Sequence, residues 1–547
     1  MNDMSNLAET ELEVDILPPR NLIIESLKIN SSYLKSINPI WKRTHYRAVL
    51  NWIVKFTPNP SAKNLEKVKA LLESFYHLCE VEEWLRASTI LATKLDTQTK
   101  EEFQNQLHTW GYYQEQVNLY SKLIGRLDSS WIDSILLIGI GRSYQALGKY
   151  TLALDVYQQS FAISKEINEE QIQKINLNNL GSIYMALGNY ELAIEYYQKS
   201  LTLARKIADT QGEAKTFVNL GIAYYSLGRY QEAMELYQKG LVIAQESGDR
   251  QTEGKILGNL GNVCHMLGNY HQAIDYHEQL LGIMQAIGDR LGEGAALGNL
   301  GSTYRILGKY DRAIAYHQQH LTIVRQIGDR QGEGVALNGL ANIYNSLGNY
   351  TQAIDYYNQY LAIAREIGDR QGEGVAIGNL GGCYNSLGKY HQAINYHQQF
   401  LNLAREMGSR QREGVALGNL GNAYDELGEH TKAMECYEQY LTIAQEIGDR
   451  SGESHVLCNL GNTLIKLKKY SEAQHFLQAS LEITQEIGEP VVAAYVLKNF
   501  AELYQKLGQQ NLAIEYCDRA LSIATELDIP LKKECMELKQ QLESSYE

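Results

Sequence analysis

The chain has 547 residues, 44% hydrophobic and 21% charged, values that exclude both wholesale disorder and a collagen-like fibre. Acidic residues outnumber Lys plus Arg by 64 to 50, and a net charge of −14 repels phosphate backbones and anionic lipid, so neither nucleic acid nor a membrane is an expected partner. Apolar runs such as Ile135 to Ile138 are far short of the roughly 18 residues a bilayer span requires.

Asp3, Glu9, Glu11, Glu13 and Asp15 precede the first basic residue, Arg20, the reverse of a signal peptide, so a cytoplasmic location is expected. Seven cysteines without a CxxC pair read as small buried hydrophobes in a reducing compartment rather than as disulfides or a zinc site. In chain order, residues 1–35 are expected to be a flexible segment and 36–130 a helical lead-in. Within the lead-in, Ser36 to Val54 reads as a helix, and Val68 to Leu95 and Phe103 to Leu127 as two irregular hairpins with Trp84 and Trp110 in their cores.

From residue 131 the pattern becomes periodic. Leu-Gly recurs every 40 residues from Leu187-Gly188 to Leu427-Gly428, with a copy before it at Leu147-Gly148 and two after it at Leu467-Lys468 and Leu507-Gly508. Ten units therefore fill 131–527. In each, an apolar stripe such as Leu180, Ile183, Tyr184 and Leu187 has the i, i+3, i+4, i+7 spacing of one helix face. Gly188 then ends that helix, and Tyr190, Ala193, Ile194, Tyr197 and Leu201 form a second stripe. Asp in Ile-Gly-Asp-Arg, as at Ile367 to Arg370, supplies the next N-cap, with Glu373 in the following turn near the helix dipole. Pro530 ends the array, and 528–547 reads as a polar capping helix.

Asn179-Leu180-Gly181, Tyr184, Gly188, Tyr190, Ala193, Tyr197 and Leu201 resemble the tetratricopeptide repeat (TPR) pattern at every signature spacing. The longer period is similar to that of LGN/Pins adaptors, kinesin light chains and bacterial STAND-type signalling proteins. The resemblance implies an all-α fold, a right-handed superhelical solenoid of antiparallel helix pairs whose first helices line the concave face.

No enzymatic activity and no cofactor are expected. Gly292, Gly294 and Gly298 have the wrong spacing for a dinucleotide fingerprint, and Gly382 to Lys389 lacks the P-loop spacing and its Ser/Thr. His277, His317 and His397 occupy the position of Tyr197 and Tyr357 and read as packing residues rather than metal ligands.

One residue before each core leucine of the first helix stands an asparagine, at Asn179, Asn219, Asn259, Asn299, Asn379, Asn419, Asn459 and Asn499, interrupted by Gly339. A carboxamide donates and accepts at once, so such a series suits the backbone of an extended peptide. The competing reading makes the same residues braces between helices. Lys215, Lys255, His265 and Arg305 would add basic character and favour acidic side chains in the ligand, while Asp425 and Glu426 make a later stretch acidic. Gly258, Gly298, Gly378 and Gly418 are expected to leave the groove floor open. Function is thus expected to be that of a non-enzymatic adaptor holding an extended protein segment. The alternative is a sensor that changes superhelix shape on binding.

Overall fold

The computed structural model describes residues 16–59, 61–97 and 99–544, among which every regular element is a helix. The chain divides into two compact units, Met1–Asn269 and Tyr270–Glu547.

The first unit begins with helices Arg20–Leu27 and Ser31–Ser36, so the stretch from 16 to 35 is folded rather than flexible; residues 1–15 lie outside the described residues. The reason is local burial with a long-range clasp. Leu17, Ile23, Leu27 and Ile29 are buried. Arg86 donates from Nε to the Leu27 carbonyl at 2.8 Å and from Nη1 to the hydroxyls of Tyr33 and Tyr46 at 2.7 and 2.8 Å. Glu83, 2.9 Å from the same Nη1, neutralises that guanidinium. Helix Ile40–Lys55 and the pairs Lys69–Glu80 with Trp84–Leu91 and Phe103–Thr109 with Tyr113–Leu123 follow.

Regular pairs then begin, Ser130–Ala146 with Tyr150–Glu166, Glu170–Ala186 with Tyr190–Lys206 and Thr210–Ser226 with Tyr230–Ser247, before helix Arg250–Met266. The second unit opens with helix Tyr270–Ile287. Pairs follow whose first helices begin at Arg290, Arg330, Arg370, Arg410, Arg450 and Pro490, and helix Leu531–Ser544 comes last. That last helix buries Leu531, Cys535, Leu538 and Leu542 in a cluster with Phe500, Ala513, Cys517 and Ala520.

Each hairpin turn is closed by glycine chemistry. Gly188 has φ of 76°, which lets the N–H of Asn189 reach back to the Tyr184 carbonyl at 2.9 Å and satisfy an end-of-helix acceptor. At 468 a lysine adopts the same left-handed φ, 62°, so the turn persists without glycine. Aspartates cap the following helices: Asp369 Oδ1 accepts from the Gly372 N–H at 2.9 Å. Pairs stack through tyrosines of the second helices; Tyr437 packs with Ala433 of its own helix and with Val456 and Leu460 of the next first helix.

The glutamates in the first turns have more than a dipole to meet. Glu373 accepts from Arg365 Nε at 2.8 Å and from Arg370 Nη1 at 3.0 Å, and Arg370 extends on to Glu406 at the end of its pair. Arg405, Glu413, Arg410 and Glu446 repeat the arrangement. Burial opposes ionisation at Glu413, but Arg405 and Arg410 outweigh it and hold the carboxyl below its usual range.

Candidate peptide-binding site

The asparagine series resolves into two kinds. Asn219 Nδ2 donates to Asn178 Oδ1 at 2.9 Å, Asn459 Nδ2 to Asn422 Oδ1 at 3.1 Å, and Asn499 Nδ2 to the Cys458 sulfur at 3.2 Å. Each of these bonds reaches the preceding first helix, so these three are braces, and Asn499 is only 7% exposed. Asn179 keeps its Nδ2 buried without an acceptor. Asn259 in the first unit, and Asn299, Asn379 and Asn419 in the second, are half-buried and have no side-chain hydrogen bond among the described residues. These four retain both donor and acceptor for a ligand.

The basic residues fall in both units. Lys215, Lys255 and His265 belong to the first, with the two lysines exposed at equivalent points of their helices and His265 half-buried in a last turn. Arg305 belongs to the second, half-buried near His317 and Tyr357. Neither lysine nor Arg305 forms an ion pair among the described residues.

Glycines 298, 378 and 418 do not open the floor. A Cβ on Gly298 would come 3.0 Å from His320, one on Gly378 3.5 Å from Phe400, and one on Gly418 3.1 Å from Tyr440. They are cradles for rings of the following helix; the one-in-four spacing with Gly294, Gly374 and Gly414 serves the same rings. No sequence signal marked this except the bulky residue 22 positions further on in each unit. Gly339, the gap in the asparagine series, has the same cause, since a Cβ there would come 2.6 Å from Nδ1 of the His317 ring, closer than any real contact.

Three consecutive first helices of the second unit present a neutral face. Past their first turns, helices Arg330–Ser346, Arg370–Ser386 and Arg410–Glu426 carry no charge before Asp425. Val335, Val375 and Val415 are exposed on them. Asn342 and Asn422 accept from the hydroxyls of Tyr357 and Tyr437 at 2.6 and 2.7 Å, which fixes their carboxamides. Further along, a polar cavity of about 350 Å³ is lined by Asn385, Tyr390, Asn422, Asp425, Glu426, Tyr437, Asn459 and Asn462. Asp425 is buried; its Oδ1 accepts from His430 at 2.8 Å and Thr463 at 3.1 Å, and its Oδ2 from Lys466 at 2.6 Å. The sequence reading missed Asn385 and Tyr437 here, since only the stacking of three pairs brings them together.

His277, His317 and His397 are buried, at the tyrosine position. His317 and His397 are each held neutral down to about pH 4, first by burial and, at His317, also by His320 and Arg305. Among the described residues, no group of three His, Cys, Asp or Glu is arranged to hold a metal, and no helix is long and apolar enough to cross a membrane.

Helix pairs of this kind, stacked at a fixed period with a tyrosine, alanine and glycine framework, define a TPR solenoid. A tetratricopeptide-repeat family model matches residues 172–246, 252–326, 292–366, 332–406, 373–446 and 452–526, and the chain belongs to that family. Solved structures similar to it include the STAND signal-transduction ATPase with a TPR sensor from Pyrococcus horikoshii, at 15% identity and TM-score 0.48, covering 96% of this chain and 75% of that one. The apo quorum sensor NprR from B. thuringiensis is 16% identical with TM-score 0.43, covering 62% of this chain and 99% of its own. The Cut9-Hcn1 complex is 16% identical with TM-score 0.40, covering 97% and 100%. No curated protein matches the chain.

Proposed function

We propose that this protein is a non-enzymatic interaction scaffold that binds an extended segment of another protein along the first-helix face of its repeats. The observation that carries the reading is the set of unpaired, half-buried carboxamides at Asn259, Asn299, Asn379 and Asn419, each at the same point of its helix. Packed helices lie about 8–10 Å apart and an extended chain advances about 3.3 Å per residue, so within the second unit a ligand would pass from Asn379 to Asn419 in roughly three residues. Amide pairing of this type reads backbone rather than side-chain identity, which suits a segment laid across several repeats. Exposed Lys215 and Lys255 in the first unit favour acidic side chains where the segment crosses them.

The test is a selection of short random peptides on the full-length chain, followed by binding of a selected peptide to Asn379→Ala/Asn419→Ala. Loss of two net hydrogen bonds should weaken binding roughly five- to a hundredfold without moving the melting temperature. Peptides that bind the double variant as tightly as the parent would refute the reading.

A further inference from the structure

The neutral face of these three helices ends at a cavity whose charge is one-sided. The four asparagines contribute carboxamides, Tyr390 and Tyr437 hydroxyls, and Asp425 and Glu426 carboxylates, and no cation is among the lining residues. Among the described residues Asn385 Oδ1 is buried with no donor, a deficit that an N–H from a ligand would relieve. Asp425 is already satisfied by His430, Thr463 and Lys466. Glu426 is not: its side chain is 52% exposed and its one cationic neighbour, Lys466, stands 3.9 Å away and is committed to Asp425 at 2.6 Å. Over Asp425, Glu426 and Lys466 the formal charge is −1, placed where three helices of uncharged face have preceded it.

We infer that this cavity takes the guanidinium of an arginine in the bound segment, with Glu426 as its charge partner and the carboxamides of Asn385 and Asn459 at its edge. A guanidinium offers five N–H donors in a plane and no acceptor, the complement of a lining that carries two carboxylates, the undonated oxygen of Asn385 and no cation. The volume of about 350 Å³ admits such a side chain without moving the Tyr437–Asn422 bond at its base. The inference rests on the reading that an extended segment occupies this face, and it adds the residue that would fix the segment's register there.

The experiment starts from the same peptide selection on the full chain. Arginine should be enriched at one fixed position, and replacing that arginine by citrulline, its neutral isostere, should weaken binding tenfold or more, the scale of a charge-assisted hydrogen bond. Glu426→Gln, an exposed and nearly isosteric change, should weaken the arginine peptide by a similar factor and leave the citrulline peptide unaffected, with unchanged circular dichroism. Asn385→Ala should weaken the arginine peptide as well. Equal affinity of the arginine and citrulline peptides, or an equal effect of Glu426→Gln on both, would overturn the assignment. So would selected peptides that lack a basic position but still depend on Asn379 and Asn419; that outcome leaves the scaffold reading standing. Selection of no peptide at all would remove both.

Discussion

The His317 ring occupies the space a side chain at Gly339 would need, and it lies against Gly301 on its other side. One imidazole thus sets two glycines in consecutive first helices, and the missing asparagine at 339 is a packing consequence rather than a lapse in the repeat. Tyr120 and Gly139 show the same exclusion at the equivalent point near the start of the array.

Gly339→Asn should therefore destabilise the protein even though asparagine occupies that position in the sister repeats, by about 1–3 kcal/mol for an overpacked core site. Adding His317→Ala should return part of that loss, so that the double variant costs less than the sum of the singles. Additive melting shifts would show that the two residues do not share the space.

The buried histidines give a second prediction, with a definite pH window. His317 and His397 have folded pKa values lowered to about 4 from 6.5, so the unfolded chain binds protons first as pH falls. Stability should be full above pH 6.5 and decline between 6.5 and 4, by at most about 3.4 kcal/mol for each histidine. His397→Tyr, the residue found at 357 and 437, should flatten part of that decline in thermal melts across the pH range. An unchanged pH slope would contradict the assignment of buried, neutral imidazoles.

The Arg–Glu links predict an unequal response within one ladder. Arg370→Met leaves the buried Glu373 carboxylate with Arg365 alone and should cost about 1–3 kcal/mol, whereas Glu406→Gln at the exposed end should cost less than about 0.5 kcal/mol. Denaturation midpoints for the two variants compare them directly; equal losses would mean that burial of Glu373 carries no weight. At Glu413 the depressed carboxyl pKa means that the stabilisation from its arginines is present above the ordinary glutamate pKa and is lost as pH falls below it.

Much of this was legible in the sequence because it repeats. The 40-residue spacing of Leu-Gly located the helix pairs, and the Asp of Ile-Gly-Asp-Arg marked the caps now seen at Asp289, Asp329, Asp369 and Asp449. What resisted reading depended on partners far along the chain. Arg370 meets Glu406, 36 residues on, and Arg86 clasps Leu27 and Tyr33, which is why the stretch before residue 36 seemed free. Glycines 298, 378 and 418 looked like open floor because nothing near them in sequence names the ring that covers them. The asparagines looked alike, yet Asn219 and Asn459 are braces because Asn178 and Asn422 offer acceptors within reach, whereas Asn338 and Asn342 stand at the same two spacings before Asn379 without pairing to it, so spacing alone could not separate them.

That separation supplies the most direct test of the central claim. A peptide selected on the full chain is titrated against Asn379→Ala/Asn419→Ala and against Asn219→Ala/Asn459→Ala, with melting temperature recorded for each. The unpaired pair should lose roughly five- to a hundredfold in affinity at constant melting temperature, while the braced pair should lose stability, about 0.5–1.5 kcal/mol for each bond. Normal binding together with a lowered melting temperature in Asn379→Ala/Asn419→Ala would contradict it, and would make the whole series structural.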